Sequence, residues 1–248
     1  MSDDARIVVD DALFRPVRSG NAFEDTVERL LQAVRLGVIA PGDSLPPERE
    51  LATRLAVSRD TVRDAIRSLT DAGYLVARRG RYGGTFVRDD AEIAAATVGE
   101  ASTAEERADR TAAEIDDILE LREILELGAV RAAAARALSA NERETLWSRL
   151  VETAASGIAD YRRIDSRLHL TVGELAGIPS LLPLLVESRS RVNALLDEIP
   201  LLERNLHHSN EQHERIVQAI LRGDSEAAES AMAEHLAGSA ALLRGFLA

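Results

Sequence analysis

The sequence predicts a mainly α-helical protein that joins a small N-terminal domain, built from three helices and a β-hairpin, to a larger all-α bundle. Apolar residues recur at helical spacing along most of the 248 residues. Two short alternating segments flank the glycine-rich stretch at residues 80–84, as expected for a β-hairpin. Hydrophobic residues make up 46% of the chain and aromatic residues only 3%, so we expect the aliphatic core that is typical of helix-rich proteins.

The N-terminal pattern contains three helices followed by two strands. We expect the helices at residues 22–38, after Pro47 and after Ser58, and the strands at 74–79 and 85–88. Ser58 is a residue type that caps helix N-termini, and Gly73 suits the end of the third helix. Three helices followed by a hairpin predict a winged helix-turn-helix.

The rest of the chain shows helical periodicity without a competing strand pattern. Six helices are predicted, at residues 114–138, 140–157, 160–176, 180–198, 205–222 and 224–246. The predicted organisation is an N-terminal arm at 1–18, the winged helix-turn-helix at 19–88, a linker at 89–112 and the helical bundle at 113–248.

Composition excludes several kinds of site. The chain has no cysteine, which excludes disulfides, thiolate zinc sites and thiol nucleophiles. No long uncharged apolar run is present, and the first residues are acidic where a signal peptide would be basic. We therefore expect a cytoplasmic protein without a membrane partner.

The charge of the chain is unevenly distributed. The net charge is −12, but residues 45–88 contain nine arginines and five acidic residues, a balance of +4 that leaves −16 for the remainder. A basic patch on an acidic body suits a protein that contacts DNA through one surface.

The third predicted helix begins with two arginines on its polar side. Arg59 and Arg63 lie one turn apart, whereas the apolar residues of this helix face inward. In helix-turn-helix proteins this part of the helix enters the major groove, where arginine can bond guanine O6 and N7. The alternative is a solvated helix face on which the arginines pair with Asp60 and Asp64. The candidate DNA-binding residues are Arg49, Ser58, Arg59, Thr61, Arg63, Arg79, Arg81, Gly83 and Gly84.

This N-terminal segment resembles the DNA-binding domain of the GntR repressor family. The resemblance rests on LPPERELA at residues 45–52, LAVSRDTVRDA at 55–65, LTDAG at 69–73 and GTFV at 84–87. It implies that Arg49, Arg59 and Arg63 contact operator DNA and that a wing glycine enters the minor groove. Pro47 departs from the family, which usually has a serine that caps the second helix.

Four metal-ligating side chains lie on apolar helix faces of the predicted bundle. Asp165 and His169 are one turn apart, and His213 and His235 each share a face with aliphatic residues. One carboxylate and three imidazoles on neighbouring helices predict a divalent metal site with open coordination positions. The alternative is that each histidine is a hydrogen-bonded core residue.

The bundle resembles the FCD effector-binding domain of the FadR subfamily of GntR regulators. The matching runs are ELREILE at 120–126, Asp165-x-x-x-His169, EQHERI at 211–216, AI-x-x-GD at 219–224 and MAEHL at 232–236. The resemblance implies that Asp165, His169, His213 and His235 bind a metal ion and that a small carboxylate effector completes the site. Arg122 is the candidate effector-binding residue, and a structural ion pair with Glu126 is its alternative role. Ile178 departs from the family, which commonly has asparagine there.

These features predict a DNA-binding transcription regulator, in the simplest case a repressor, that binds a palindromic operator as a homodimer. A small organic acid is the expected effector, and zinc, nickel or manganese is the expected ion. The chain is not expected to be an enzyme. Two other interpretations stay open: a regulator for which the metal is itself the signal, and a metal-dependent enzyme that activates water.

Overall fold

The structure is a computed structural model that describes residue 16 and residues 20–35, 39–80, 83–88 and 111–247. The chain forms two compact units, Met1–Arg107 with Glu198–Arg204 and Gly238–Ala248, and Ala108–Asp197 with Asn205–Ala237. The predicted arm at 1–18 and the predicted linker at 89–112 lie almost entirely outside the described residues, and so does Arg81.

The described ranges contain nine helices and two strands, which confirm the predicted fold class. Their bounds are α1 Ala22–Arg35, α2 Glu48–Leu55, α3 Arg59–Asp71, β1 Leu75–Arg78, β2 Gly84–Val87, α4 Ala112–Ala135, α5 Ala140–Ala155, α6 Tyr161–Leu175, α7 Leu181–Leu196, α8 Glu203–Arg222 and α9 Ser225–Leu247. None of these helices combines the length and the apolar character needed to cross a bilayer.

Helices α2 and α3 form a helix-turn-helix with a tight turn. Ala56 ends α2 in the left-handed region, with a φ of 55°. Ser58 caps α3, because its Oγ accepts a hydrogen bond from the backbone N–H of Thr61 at 3.0 Å. Pro47 precedes α2 without a side-chain cap, as expected from its departure from the family pattern.

The Ser58 cap gives a first testable prediction. Replacing Ser58 with alanine leaves one backbone donor of α3 without its side-chain partner and should lower the free energy of unfolding by about 1 kcal/mol. Urea denaturation followed by circular dichroism measures this loss. The control is Ser190→Ala, because Ser190 lies within α7 and bonds the carbonyl of Val186 rather than a helix end. Equal stabilities for the two variants would contradict the capping role.

The strands β1 and β2 form an antiparallel hairpin that extends from the helical core. Leu75 pairs with Val87, and Arg78 pairs with Gly84. Leu75 and Val87 are buried and β1 packs against α3, whereas Arg78 and Gly84 are exposed. The base of the hairpin is therefore packed in the core, and its outer described residues face solvent, as in a wing.

The first unit also contains residues that the sequence pattern does not place there. The last turns of α9, from Gly238 onward, belong to this unit. Within it the rings of Tyr74 and Phe246 meet edge to face, with centroids 5.3 Å apart.

The second unit is an aliphatic helical bundle. Helices α4 and α5 begin with reciprocal capping boxes, Thr111 with Glu114 and Ser139 with Glu142. Its main core consists of Val130, Ala133, Ala134, Leu146, Leu150, Leu168, Val172, Leu175, Ile216, Val217, Ala219, Ile220, Ala228, Met232 and Leu236. A group of buried polar side chains from α4, α6, α7, α8 and α9 interrupts this apolar interior. Buried polar groups need partners, so this group is the place to look for a site.

Candidate DNA-binding surface and metal centre

Helix α3 presents the two predicted DNA-reading arginines to solvent. Its inner face is buried, and consists of Val62, Ala65, Ile66 and Leu69. Arg59 and Arg63 are exposed on the opposite side. Both guanidinium groups are therefore available to a ligand that approaches α3 from solvent.

Arg63 already has acidic partners on this surface. Its Nη1 lies 2.9 Å from Asp60 Oδ1 and its Nη2 lies 3.2 Å from Glu48 Oε2. Exposed ion pairs of this kind contribute about 0–1 kcal/mol, so a phosphate or a guanine edge can replace them. Arg59 makes no hydrogen bond or ion pair with any residue that the structure describes. The solvated-face interpretation thus describes Arg63 in the DNA-free protein without excluding its role on DNA.

The remaining predicted DNA contacts surround α3. Arg49, Ser58, Arg79, Gly83 and Gly84 are exposed, and Thr61 is half-buried. A Cβ on Gly83 would lie 2.6 Å from the carbonyl oxygen of Arg78, so the turn of the wing itself requires glycine at this position.

Three buried histidines converge in the second unit. His169 on α6, His213 on α8 and His235 on α9 each offer a ring nitrogen, and these nitrogens lie within 4.8 Å of one another. His213 Nε2 and His235 Nε2 are 3.3 Å apart. Two nitrogens bound to one tetrahedral zinc ion at about 2.0–2.1 Å are separated by roughly 3.4 Å. The histidine spacing therefore fits a shared ion.

Asp165 lies beside this cluster. Its Oδ1 is 3.3 Å from His213 Nε2 and 3.7 Å from His169 Nε2. Its Oδ2 contacts Nη2 of Arg189. The structure thus brings all four predicted ligands into one group, with one oxygen of Asp165 facing the imidazoles.

Hydrogen bonds on the outer side orient two of the imidazoles. His169 Nδ1 contacts Glu126 Oε2, and His235 Nδ1 lies 3.1 Å from Gln212 Oε1. Burial alone would raise the pKa of Glu126, but the charges of His169, Arg122 and Arg189 hold it well below its usual range. An ionised carboxylate only accepts hydrogen bonds, so His169 Nδ1 must carry the proton. Such a carboxylate-histidine pair directs the other ring nitrogen toward a metal.

Two ring nitrogens of the cluster are buried without hydrogen bonds. Within the described residues, His169 Nε2 and His213 Nδ1 are buried and form no hydrogen bond. Burial lowers the pKa of His213 and of His235 well below the usual value, so both rings are neutral and able to donate a lone pair. Neutral imidazoles, a carboxylate and the unsatisfied His169 Nε2 together fit a divalent metal ion.

Two buried arginines flank the acidic side of the cluster. Arg122 Nε donates to Glu126 Oε1 at 2.8 Å, so the ion pair considered from the sequence is present. Arg189 on α7 reaches both Asp165 and Glu126. The sequence prediction missed Arg189 and missed the contacts of Glu126 and Gln212 with histidines. Arg189 shares the apolar helix face of Leu185 and Val192 at i−4 and i+3, a pattern that indicates a buried charge.

A small cavity lies on the apolar side of the histidines. Its volume is about 10 Å³, and it is lined by Leu168, His169, Val172, His213, Ile216, Val217 and Met232. A space of this size accommodates roughly one water molecule. The apolar side of the histidines therefore leaves little unfilled space.

Comparison with known proteins assigns a segment of each unit to a known protein family. Residues 23–87 match the model for bacterial regulatory proteins of the gntR family, and residues 117–238 match the model for the FCD domain. The chain is a GntR-family transcription regulator with an FCD domain. The helix-turn-helix and the histidine cluster described above lie in these two segments, respectively. As its relatives are regulators, this GntR-family protein is not an enzyme.

Named relatives of the GntR-family regulator cover most of its length. The "Putative L-lactate dehydrogenase operon regulatory protein" of Escherichia coli (strain K12) is 29% identical over 89% of this chain and 84% of its own length. The "HTH-type transcriptional repressor NanR" of Klebsiella aerogenes is 28% identical over 98% and 94%. Among solved structures, Escherichia coli McbR/YncC has 20% identity and a TM-score of 0.49, with 89% of this chain and 96% of that chain covered.

Proposed function

We propose that this GntR-family regulator is a repressor of the FadR subfamily whose affinity for a palindromic operator is set by a small carboxylate bound beside a divalent metal ion. The observation that carries the proposal is the convergence of three buried, mutually close imidazoles within the FCD domain. Among the described residues His169 Nε2 is buried without a hydrogen bond, and a nitrogen left in this state destabilises a fold unless a ligand satisfies it.

Asp165, His169, His213 and His235 would hold the ion. Zinc, nickel and manganese are the candidates, because imidazole and carboxylate ligands together suit ions of intermediate softness. The bound ion would supply a Lewis-acidic position for a carboxylate oxygen. Glu126 and Gln212 would keep two of the imidazoles oriented toward it.

Arg122 is proposed as an effector contact. It is buried beside the cluster, and its Nε donates to Glu126 Oε1. Arginine pairs well with carboxylates. L-Lactate is a suitable first probe, because one relative is named after an L-lactate dehydrogenase operon and because a 2-hydroxy acid offers a metal two oxygens.

The DNA-binding part of the proposal rests on α3 and the wing. Arg59 and Arg63 would read bases, Arg49, Ser58 and Thr61 would contact phosphates, and the wing residues Arg79, Arg81, Gly83 and Gly84 would approach the minor groove. A homodimer would place two such helices about one DNA turn or a multiple apart. Exposed Ile124 on α4 and Leu184 on α7 are apolar surface that a second copy can cover. Access to DNA requires a cytoplasmic location.

One observation favours a second candidate function. The three imidazoles and Asp165 lie close enough to hold an ion without an organic ligand, so the metal itself can be the signal. In that case operator affinity follows metal concentration in the absence of any organic acid. A carboxylate-dependent regulator instead requires both the ion and the acid.

Metal analysis and ligand-induced stabilisation test the proposal directly. The purified chain, loaded with zinc or manganese and dialysed, should retain about one ion per chain. L-Lactate or malonate should then raise the melting temperature of the loaded protein, and the uncharged analogues lactamide and malonamide should not. A chain that retains no ion, or that responds equally to acids and amides, would contradict the proposed function.

Glu126 gives a prediction about metal affinity. Glu126→Gln preserves the shape of the side chain but removes the charge that orients His169, so metal affinity should fall about 10–100-fold. Competition with a chelating dye measures the affinity. Glu123→Gln, an exposed position on the same helix, should bind metal as the unmodified protein does. Equal affinities for both variants would show that Glu126 does not support the site.

A further inference from the structure

Arg189 is a buried guanidinium with an incomplete set of hydrogen bonds. Only 4% of this residue is exposed. Nε donates to Ser166 Oγ at 3.2 Å, and Nη2 contacts Asp165 Oδ2. Nη1 lies 3.7 Å from Glu126 Oε1 and has no hydrogen-bond partner among the residues that the structure describes.

A guanidinium nitrogen without a hydrogen bond, such as Nη1 of Arg189, is unusual in a buried cation. Most buried polar groups are hydrogen-bonded, and an unsatisfied donor on a charged group is especially unfavourable. A buried guanidinium nitrogen that forms no hydrogen bond and lies beside a ligand cluster indicates a position where an anion binds.

The charges of the cluster indicate the same kind of ligand. The two guanidinium groups of Arg122 and Arg189 are balanced by the two carboxylates of Glu126 and Asp165. A divalent ion would add two positive charges to this balanced set. An uncompensated buried charge is strongly unfavourable, so a bound anion is needed.

Asp165 connects the two roles of this arginine. Its Oδ2 is held by Arg189, and its Oδ1 faces His169 and His213. Hydrogen bonds to a ligating carboxylate orient it and support metal binding. One guanidinium can therefore position a metal ligand through Nη2 and present Nη1 to a second group.

We propose that Arg189 contacts the carboxylate of the effector through Nη1 while its Nη2 positions Asp165 beside the metal. This inference rests on the proposed metal-dependent function and adds Arg189 to Arg122 as a contact of the acid. It also couples the two ligands, because the same side chain supports the ion and binds the anion.

The test compares variants of two arginines on α7. Arg189→Met removes both contacts, and Arg189→Lys keeps the charge without the two-pronged geometry. Arg191→Met is the matched control, because Arg191 is partly exposed and pairs with Asp117 Oδ2 at 3.2 Å. Circular dichroism verifies that each variant is folded. Two quantities are measured: manganese affinity without organic acid, and binding of L-lactate or malonate to protein saturated with manganese.

We expect Arg189→Met to lower manganese affinity about 10–100-fold and to lower affinity for the acid by at least about tenfold when the ion is saturating. Arg189→Lys should be folded and should also bind the acid several-fold more weakly, and it replaces the methionine variant if that one does not fold. Arg191→Met should match the unmodified protein in both measurements.

Two results would each overturn the inference and leave the proposed function standing. In the first, both Arg189 variants bind the acid as tightly as the unmodified protein does. In the second, the manganese affinity of Arg189→Met is unchanged or higher. A different result would show that the proposed function itself is wrong. If the unmodified protein binds manganese but neither acid, both the carboxylate-dependent function and this inference are wrong.

Discussion

Replacing Arg59 or Arg63 with alanine should each remove about 1–3 kcal/mol of discrimination between the operator and random DNA. Both side chains are exposed on the outer face of α3, whereas the inner face of this helix is buried in the core. Loss of a guanidinium that bonds guanine O6 and N7 weakens the correct sequence more than an incorrect one. Fluorescence anisotropy with an operator selected from random-sequence duplexes measures both affinities.

Arg67→Ala is the control for this prediction. Arg67 is also exposed on α3, but it lies a turn beyond Arg63 and pairs with Asp71 at 3.9 Å. Its loss should reduce affinity for all sequences to a similar, small extent, because the positive charge acts on phosphates without reading bases. Operator preference that is unchanged in both Arg59→Ala and Arg63→Ala would exclude α3 as the reading helix.

His213→Ala should abolish metal binding at functional concentrations, with an affinity loss of at least about 100-fold. His213 is the most buried of the three imidazoles, and its Nε2 is 3.3 Å from both His235 Nε2 and Asp165 Oδ1. Its removal therefore takes away the central ligand of the cluster. The response of operator affinity to L-lactate or malonate should disappear with the ion.

Two further variants make this result interpretable. His207→Ala removes an exposed imidazole from the same helix and should leave metal content unchanged. His213→Gln retains most of the side-chain volume, so its folded state can be compared with that of the alanine variant. A folded His213→Gln protein that retains about one ion per chain would contradict the assignment of the metal centre.

Local sequence signals predicted the elements that form the two candidate sites. Ser58 as the cap of α3 was predictable, because capping depends on a residue and its third neighbour along the chain. The orientation of Arg59 and Arg63 followed from helical periodicity in the same way. The four candidate ligands were also recognisable, since Asp165 and His169 are one turn apart and each other histidine lies on an apolar face.

The contacts around those ligands were not predictable from the sequence. Glu126 meets His169 across 43 positions, and Arg189 meets Asp165 across 24. Helical periodicity shows that such residues face inward but does not show which neighbour each one reaches. The pairing depends on how α4, α6 and α7 pack, and that is set by the shapes of many aliphatic side chains together. Helix packing also explains why the sequence does not predict that the last turns of α9 belong to the first unit.

The central claim is that the acid at the metal centre and the operator at α3 influence each other's binding. The most direct measurement is the Kd of the selected operator for manganese-loaded protein, with and without a saturating concentration of the acid that stabilises it. We expect a change of about 5–150-fold that vanishes after the ion is removed. An unchanged operator Kd under conditions in which the acid is shown to bind would contradict the account.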